Sequence, residues 1–440
     1  MRKFWLQSFI ITLFVFFMLW GAGKITDLKM FTAFDTIGQA LKDFEMTDYA
    51  FSKLRPDPTV DPRIIIVNIG NLSRGEVAEQ VRLIRQYNPK VIAIDSYFNC
   101  EGGLRDSVNC PQLLDQMGNL LLANAIEEAG NVVLVSKLLQ TDSLSNSNAI
   151  DGYDSVEYSD PIFSDFSKHG FANLVTEAVF QDDIKLCRKF IPQWNVNGEN
   201  HYAFAVETCM LFDSVKTRRF LDRNNEEELV NYRGNVEIQD LKLKSLATKQ
   251  TGSTNFPTMF YAVDVDQVQR GEILGEIFKD NIVIMGFLGA RFGDITWSDK
   301  YFTPLNSKVA GRANPDMFGV VVHANIAAMI LNEDYIDEIP EWGKYSIAFL
   351  VCLLTVALFI WIDQKLPQWF DAMSVIIQLL ELLLISAFII QAFTWWNLKL
   401  DLSIAIGVSA LVGPAYDIFK SIQLEINKRL TKRKSEVLTS

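Results

Sequence analysis

Four polar residues stand where a parallel sheet would present a ligand site: Asn71, Asp95, Asp294 and His323. Asn71 and Asp95 follow the apolar runs IIIVNI (64–69) and KVIAI (90–94). Asp294 closes a glycine-rich loop after IVIM (282–285), and His323 lies near the start of an apolar stretch. Open parallel sheets bind ligands beyond the carboxyl ends of their strands. That rule puts Asn71, Asp95 and Asp294 on one rim, with His323 able to face it, and the carboxylates favour a cation or an amine-bearing ligand. Plainer uses exist for each: Asp95 and Asp294 as helix caps or loop braces, His323 as a satisfied core residue. No catalytic constellation accompanies them. The chain has only three His, at 169, 201 and 323. It holds no G-x-S-x-G, Walker or zinc-helix pattern. Gly286, Gly289 and Gly293 echo a phosphate loop, but no Lys-Ser/Thr follows, so a tight turn is the expected reason for them. The expectation is a non-enzyme with no cofactor and no metal.

Two further sets of residues carry chemical interest. Glu381 is the one charge within the apolar stretch 372–394, and intramembrane carboxyls usually face a bundle interior, where they pair or carry function. Of the five cysteines, Cys352 sits in an apolar segment as a small apolar residue. Cys100 and Cys110 are close in sequence, as are Cys187 and Cys209. Four cysteines permit three pairings. In an oxidising compartment the two local pairs are the simplest disulfides; four buried thiols are the alternative.

The element that organises these residues is the stretch 280–331. A short β-branched run, a glycine turn and an apolar helix make one α/β unit. Upstream, 64–69, the amphipathic 74–87 (Val77, Val81 and Ile84 on one face) and 90–94 read as β-α-β, hence parallel strands with a right-handed crossover. A helix over 113–129 and a strand over 132–135 follow. The fold class is α/β: a mostly parallel sheet with flanking helices. Residues 141–160 are rich in Ser, Asn and Asp and read as a loop; 222–254 are polar and carry no clear pattern apart from a strand at 229–232.

Charge-free or nearly charge-free stretches at 4–21, 345–362 and 372–394, with a weaker one at 402–418 containing Pro414 and Asp417, predict four transmembrane helices, one N-terminal and three C-terminal. A span needs about 20 apolar residues. Most of the nine Trp (5, 20, 342, 361, 369, 395 and 396) lie in or beside these stretches, as an interfacial belt does. Arg2 and Lys3 precede the first stretch, and Lys428, Arg429, Lys432, Arg433 and Lys434 follow the last, so both termini are expected in the cytoplasm. The net charge is −12, and with both ends basic the middle is more acidic still, which excludes general binding to nucleic acid. The expected division is an anchor (1–23), a stalk helix and Pro-rich connector (24–62), a periplasmic domain (63–342), three spans (343–419) and a basic tail (420–440). Gly21-Ala22-Gly23 also fits a signal-peptide cleavage site; the apolar core is long for one, which favours an uncleaved anchor.

This order of parts resembles the second type of CHASE domain, an extracellular sensor module of bacterial signalling proteins. The resemblance rests on Asp48 with Arg55-Pro56, on 64–69, 91–95, 261–265 and 281–286, and on Asp294, Thr303-Pro304, Gly319 and His323-Ala324-Asn325. The family plan it implies has one N-terminal span, an outer domain and three C-terminal spans. Two departures stand out. The family's acidic pair and Trp-Pro-Trp-like turn after the first strand are replaced by Gly70-Asn71-Leu72-Ser73. The kinase or cyclase module usual after the last span is not in this sequence, so the output is expected on a separate chain.

The resulting expectation is a multi-pass protein of a bacterial inner membrane. It would act as a sensory or regulatory subunit whose partners are the lipid bilayer and a membrane or cytoplasmic effector, with homo-oligomerisation compatible. The second reading is a structural or docking subunit of a cell-envelope complex.

Overall fold

The computed structural model describes residues 2–26, 45–99, 114–141, 152–176, 185–236, 258–271, 275–294, 296–306 and 315–439. They fall into two compact units. One holds residues 1–41 and 337–440, and the other residues 42–336. The first unit opens with helix α1 (Arg2–Thr26).

The second unit is built on an eight-stranded sheet. Its centre is β1 (Ile64–Asn68) and β2 (Val91–Asp95), and α2 (Arg74–Arg85) crosses between them. Next come α3 (Gln116–Ala129), β3 (Val132–Leu139), β4 (Ser155–Glu157) and β5 (Lys168–Phe171). Helices α4 (Phe204–Phe212) and α5 (Ser214–Leu221) precede β6 (Asn235–Val236), β7 (Thr258–Val263) and β8 (Ile282–Gly286). The order is β6-β7-β1-β8-β2-β3-β4, with β5 also paired to β3. All these pairings are parallel except β3 with β4. The expected parallel α/β sheet is thus observed. Its last central strand, β8, is inserted between the first two.

Every residue of β1 and β8 is buried, as unbroken apolar runs in a two-sided sheet require. One face, with Ile65, Val67, Ile92, Ile94, Val283 and Met285, packs on Val77, Val81 and Ile84 of α2 and on Leu122 and Ile126 of α3. The other face is covered by α4 and by α6 (Gly319–Asn332). That helix is buried along nearly its whole length, so it has no polar stripe and its period is invisible in sequence. Ser73 caps α2 in a reciprocal box with Glu76.

Polar staples fix the edges of this unit. Asp48 accepts from the buried guanidinium of Arg188, Nη2 to Oδ2 at 2.6 Å. Arg55 lies over the Phe51 ring at 4.4 Å and donates to Asn231. Thr303 donates its hydroxyl to Asp316 at 2.5 Å. Asn325 accepts from Arg233 N–H at 3.0 Å and donates to Gly234 O at 2.9 Å, clamping the chain that leads into β6.

One expected disulfide is not formed. Cys187 and Cys209 are both buried thiols. They sit on different elements and face different carbonyls, the Cys187 sulfur that of Lys189 and the Cys209 sulfur that of Ala327, each at 3.6 Å. Closeness in sequence did not bring them together. Cys100 and Cys110 lie outside the described residues.

The first unit continues with α7 (Glu341–Lys365), α8 (Phe370–Trp396) and α9 (Ser403–Thr439). The entry to α7 and the exit from α8 are held side by side by a short parallel pair, Asp337–Glu338 with Leu398–Lys399. Helix α9 runs along α7, tied at one end by Lys344 to Asp401 (3.1 Å) and at the other by Lys420 to Asp363 (2.7 Å). Ile11, Cys352, Phe359, Ile389, Ala405 and Val408 share its core. Among the described residues three helices, not the expected four, are long and apolar enough to cross a membrane: α1, α7 and the segment containing α8. Helix α9 packs with them, but Pro414, Asp417 and Lys420 interrupt its apolar run, so length and composition do not make it a span.

Candidate functional site

The register of the sheet brings three strand ends into one row: Asn68 beside Gly286, and Gly286 beside Asp95. All three face α6. At the β1 end the crevice is closed. Asn68 donates to Asp264 Oδ1 (2.9 Å) and Gly289 O (3.0 Å), and accepts from the N–H groups of Gly70 and Leu288 (2.9 Å each). Asp264 also accepts from Phe292 N–H at 3.0 Å. The glycine loop is therefore a braced turn, with Gly289 at φ 97° where a side chain would be strained.

At the β2 end the arrangement is different. Among the described residues no hydrogen bond to the Asp95 carboxyl is present, and it is set against the N-terminus of α6. A Cβ added at Gly286 would meet Val320 at 2.6 Å and Asp95 Cβ at 3.2 Å, so only glycine lets strand, carboxylate and helix meet. Asp299 is the second carboxylate. Its carbonyl accepts from Gly319 N–H at 3.0 Å, and its carboxyl oxygens lie 3.0 and 3.1 Å from where a Gly319 Cβ would be. Asp299 adopts φ 54°, a left-handed conformation uncommon outside glycine. Residues Lys300–Tyr301 (β9) pair antiparallel with Met317–Phe318 (β10) and so fold the Asp299 loop back onto α6. The Lys300 ammonium sits 4.6 Å from the Phe318 ring, and Lys185 lies 5.7 Å from the ring of Tyr301.

The electrostatics follow from this crowding. Burial pushes the Asp95 carboxyl up to about 7. Burial and then the Asp95 charge push Asp299 up to about 7, against Lys185 and the Gly319 N–H. Two carboxyls in one low-dielectric place resist double ionisation, so each holds its proton to higher pH than a free Asp. The N-terminus of α6, whose N-cap residue Phe318 offers no capping side chain, favours the negative charge that remains. The pair can hold a proton or an organic cation. Among the described residues no group of three or more His, Cys, Asp or Glu is placed to hold a metal ion.

The other residues singled out in the sequence are placed differently. Asp294 is exposed and its Oδ2 accepts from Arg291 N–H at 2.9 Å, bracing its own turn. Asn71 is exposed. His323 is buried with its ring edge-on to Phe204 at 5.2 Å and its Nδ1 without a hydrogen-bond partner; burial lowers its imidazole to about 4. Glu381 lies in α8 of the helical unit and meets Thr355 of α7 at 2.6 Å. Asp299 was not singled out, since WSDK (297–300) reads as an ordinary polar loop; only its pairing with β10 gives it a role.

The chain thus joins candidate membrane helices to a parallel α/β unit with two buried carboxyls near its strand ends. The family model described as CHASE2 domain matches residues 12–359. The chain belongs to the CHASE2 domain family, a family of sensor domains. Among curated proteins and solved structures none matches it.

Proposed function

We propose that this protein is a non-enzymatic sensory or regulatory subunit. Its α/β unit lies outside the cytoplasmic membrane, and it passes a ligand or envelope signal through its helical unit to an effector on a separate chain. The Asp95–Asp299 pair carries this reading. A fold gains nothing in stability from two carboxyls held together beside a closed sheet end, and such pairs concentrate at functional sites. The outside placement is supported by Arg2 and Lys3 before α1 and by the sensor family. For a signal to pass, the stimulus must bind two states of the unit unequally. The test is purification from native membranes in mild detergent, with mass spectrometry of co-eluting chains. A kinase or cyclase retained by wild type, whose activity stops responding in Asp95→Asn and Asp299→Asn, supports the reading. Recovery of the protein alone, with no stimulus changing either variant differently from wild type, sinks it.

One observation favours a docking subunit instead. Leu114 just before α3 and Met117 and Leu120 on it are 75%, 65% and 55% exposed, and Ile162, on the short helix Pro161–Ser164 that packs against α3, is exposed too. An apolar stripe of this kind marks a contact surface. Co-elution of envelope components that is lost on Met117→Glu with Leu120→Glu, and untouched by Asp95→Asn, would select that reading.

A further inference from the structure

The helical unit holds one carboxyl for which the neutral form lets both neighbouring hydrogen bonds of Thr355 be made at once. Thr355 has a single hydroxyl proton. Its Oγ1 lies 3.0 Å from Val351 O and 2.6 Å from Glu381 Oε1. Against an ionised Glu381 both neighbours are acceptors, and one hydroxyl cannot donate fully to both. With a proton on Glu381, the carboxyl donates to Thr355 Oγ1 and Thr355 donates to Val351 O. Each approach is then a donor–acceptor pair, and 2.6 Å is within the range of an O–H···O bond. The second oxygen, Oε2, is buried without a hydrogen-bond partner. So is the hydroxyl of Ser409 on α9, which faces the same carboxyl.

Among the described residues no cation faces Glu381. The groups facing Glu381 are Thr355 and Cys352 from α7 and Ser409 from α9, and Thr12 of α1 stands behind Cys352. The cations Lys344 and Lys420 are paired at the two ends of α7. One turn earlier on α8, Gln378 donates to Ser409 O at 2.8 Å and packs where a Gly413 Cβ would be, holding α8 against α9. The carboxyl therefore sits where three helices meet.

We propose that Glu381 is a proton-binding site: a neutral carboxylic acid that joins α7 to α8 and faces α9. This holds whichever stimulus the α/β unit reads. It makes the helix junction proton-linked, since on ionisation Thr355 must turn its one proton from Val351 O to Glu381, and a charge is left in the bundle with no cation beside it among the described residues.

Infrared spectroscopy of the full-length protein in lipid nanodiscs tests it. At neutral pH the spectrum should contain the carbonyl stretch of a protonated carboxylic acid that is missing from Glu381→Gln and fades on strong alkalinisation. In Thr355→Val, where Glu381 is retained, the same band should shift to higher frequency because its hydrogen bond is lost. Carbon-13 labelling of glutamate identifies the band in wild type and Thr355→Val even if Glu381→Gln does not fold. Absence of a glutamate-derived acid band at neutral pH overturns the proposal. So does a band that ignores Thr355→Val.

Discussion

At the scale of single residues, the polar side chains divide into staples and a site. Asn68, Asp264, Thr303, Asp316 and Asn325 are saturated with hydrogen bonds and hold loops in place. Asp95 and Asp299 have fewer hydrogen bonds and, like the buried Asp316, hold protons more tightly in the fold than in the unfolded chain, where Asp titrates near about 3.9. The sign of the pH effect follows. Below about 4 both states are protonated and the pair costs nothing. Between about 4 and 7 the unfolded chain releases protons that the fold retains, so stability falls as pH rises, and the full cost is present above about 7. Asp95→Asn should remove much of that cost: at pH 8 the α/β unit should gain on the order of 1–2 kcal/mol. Its thermal midpoint should also fall less between pH 5 and 8 than that of wild type. An unchanged pH profile in calorimetry would show that the two carboxyls do not hold their protons to higher pH. Gly286→Ala acts in the opposite direction. Its Cβ would meet Val320 at 2.6 Å, and an overpacked core of this kind loses about 1–3 kcal/mol, read as a lowered denaturation midpoint with the slope unchanged.

At the scale of elements, the residues behind the family resemblance are largely those that join one element to another. Asp48 ties the short helical segment before β1 to Arg188, with both side chains buried. Removing one partner of a buried pair strands the other charge at a cost of about 3–5 kcal/mol. Asp48→Ala should therefore destabilise the unit far more than the exposed Arg270→Ala, whose partner Asp266 is one helical turn away. Equal losses for the two in urea titrations would count against this assignment. Strands β1, β2 and β8 were readable because two-sided burial demands unbroken apolar runs. The presence of α6 was readable too, but not which of its sides meets the sheet, because its apolar residues surround it. The expected pair of Cys187 and Cys209 failed for a related reason: separation along the chain says nothing about which carbonyl each sulfur meets. Alkylation of the denatured, unreduced protein should label both.

At the scale of the whole molecule, three apolar helices attach an α/β unit of the CHASE2 family to a membrane. The proposed outside placement is checked with Val215→Cys, an exposed position on α5. A membrane-impermeant maleimide should label it in intact spheroplasts. Labelling only after lysis would put the unit in the cytoplasm and undo the sensor reading. Much of this plan was determined by the sequence alone. Hydrophobic segment length fixes what can enter a bilayer, and strand periodicity fixes a parallel sheet, because both depend on local composition. The strand-end carboxylate Asp95 was also visible, since a charge directly after an apolar run has few other places to go. The tertiary structure alone supplied its partner. Asp299 lies far from Asp95 along the chain, in a loop without distinguishing composition, and becomes part of a site only when β9 pairs with β10 and sets it over the N-terminus of α6. The structure also separated the paired cysteines. That outcome depends on contacts between distant segments, which local pattern only approximates.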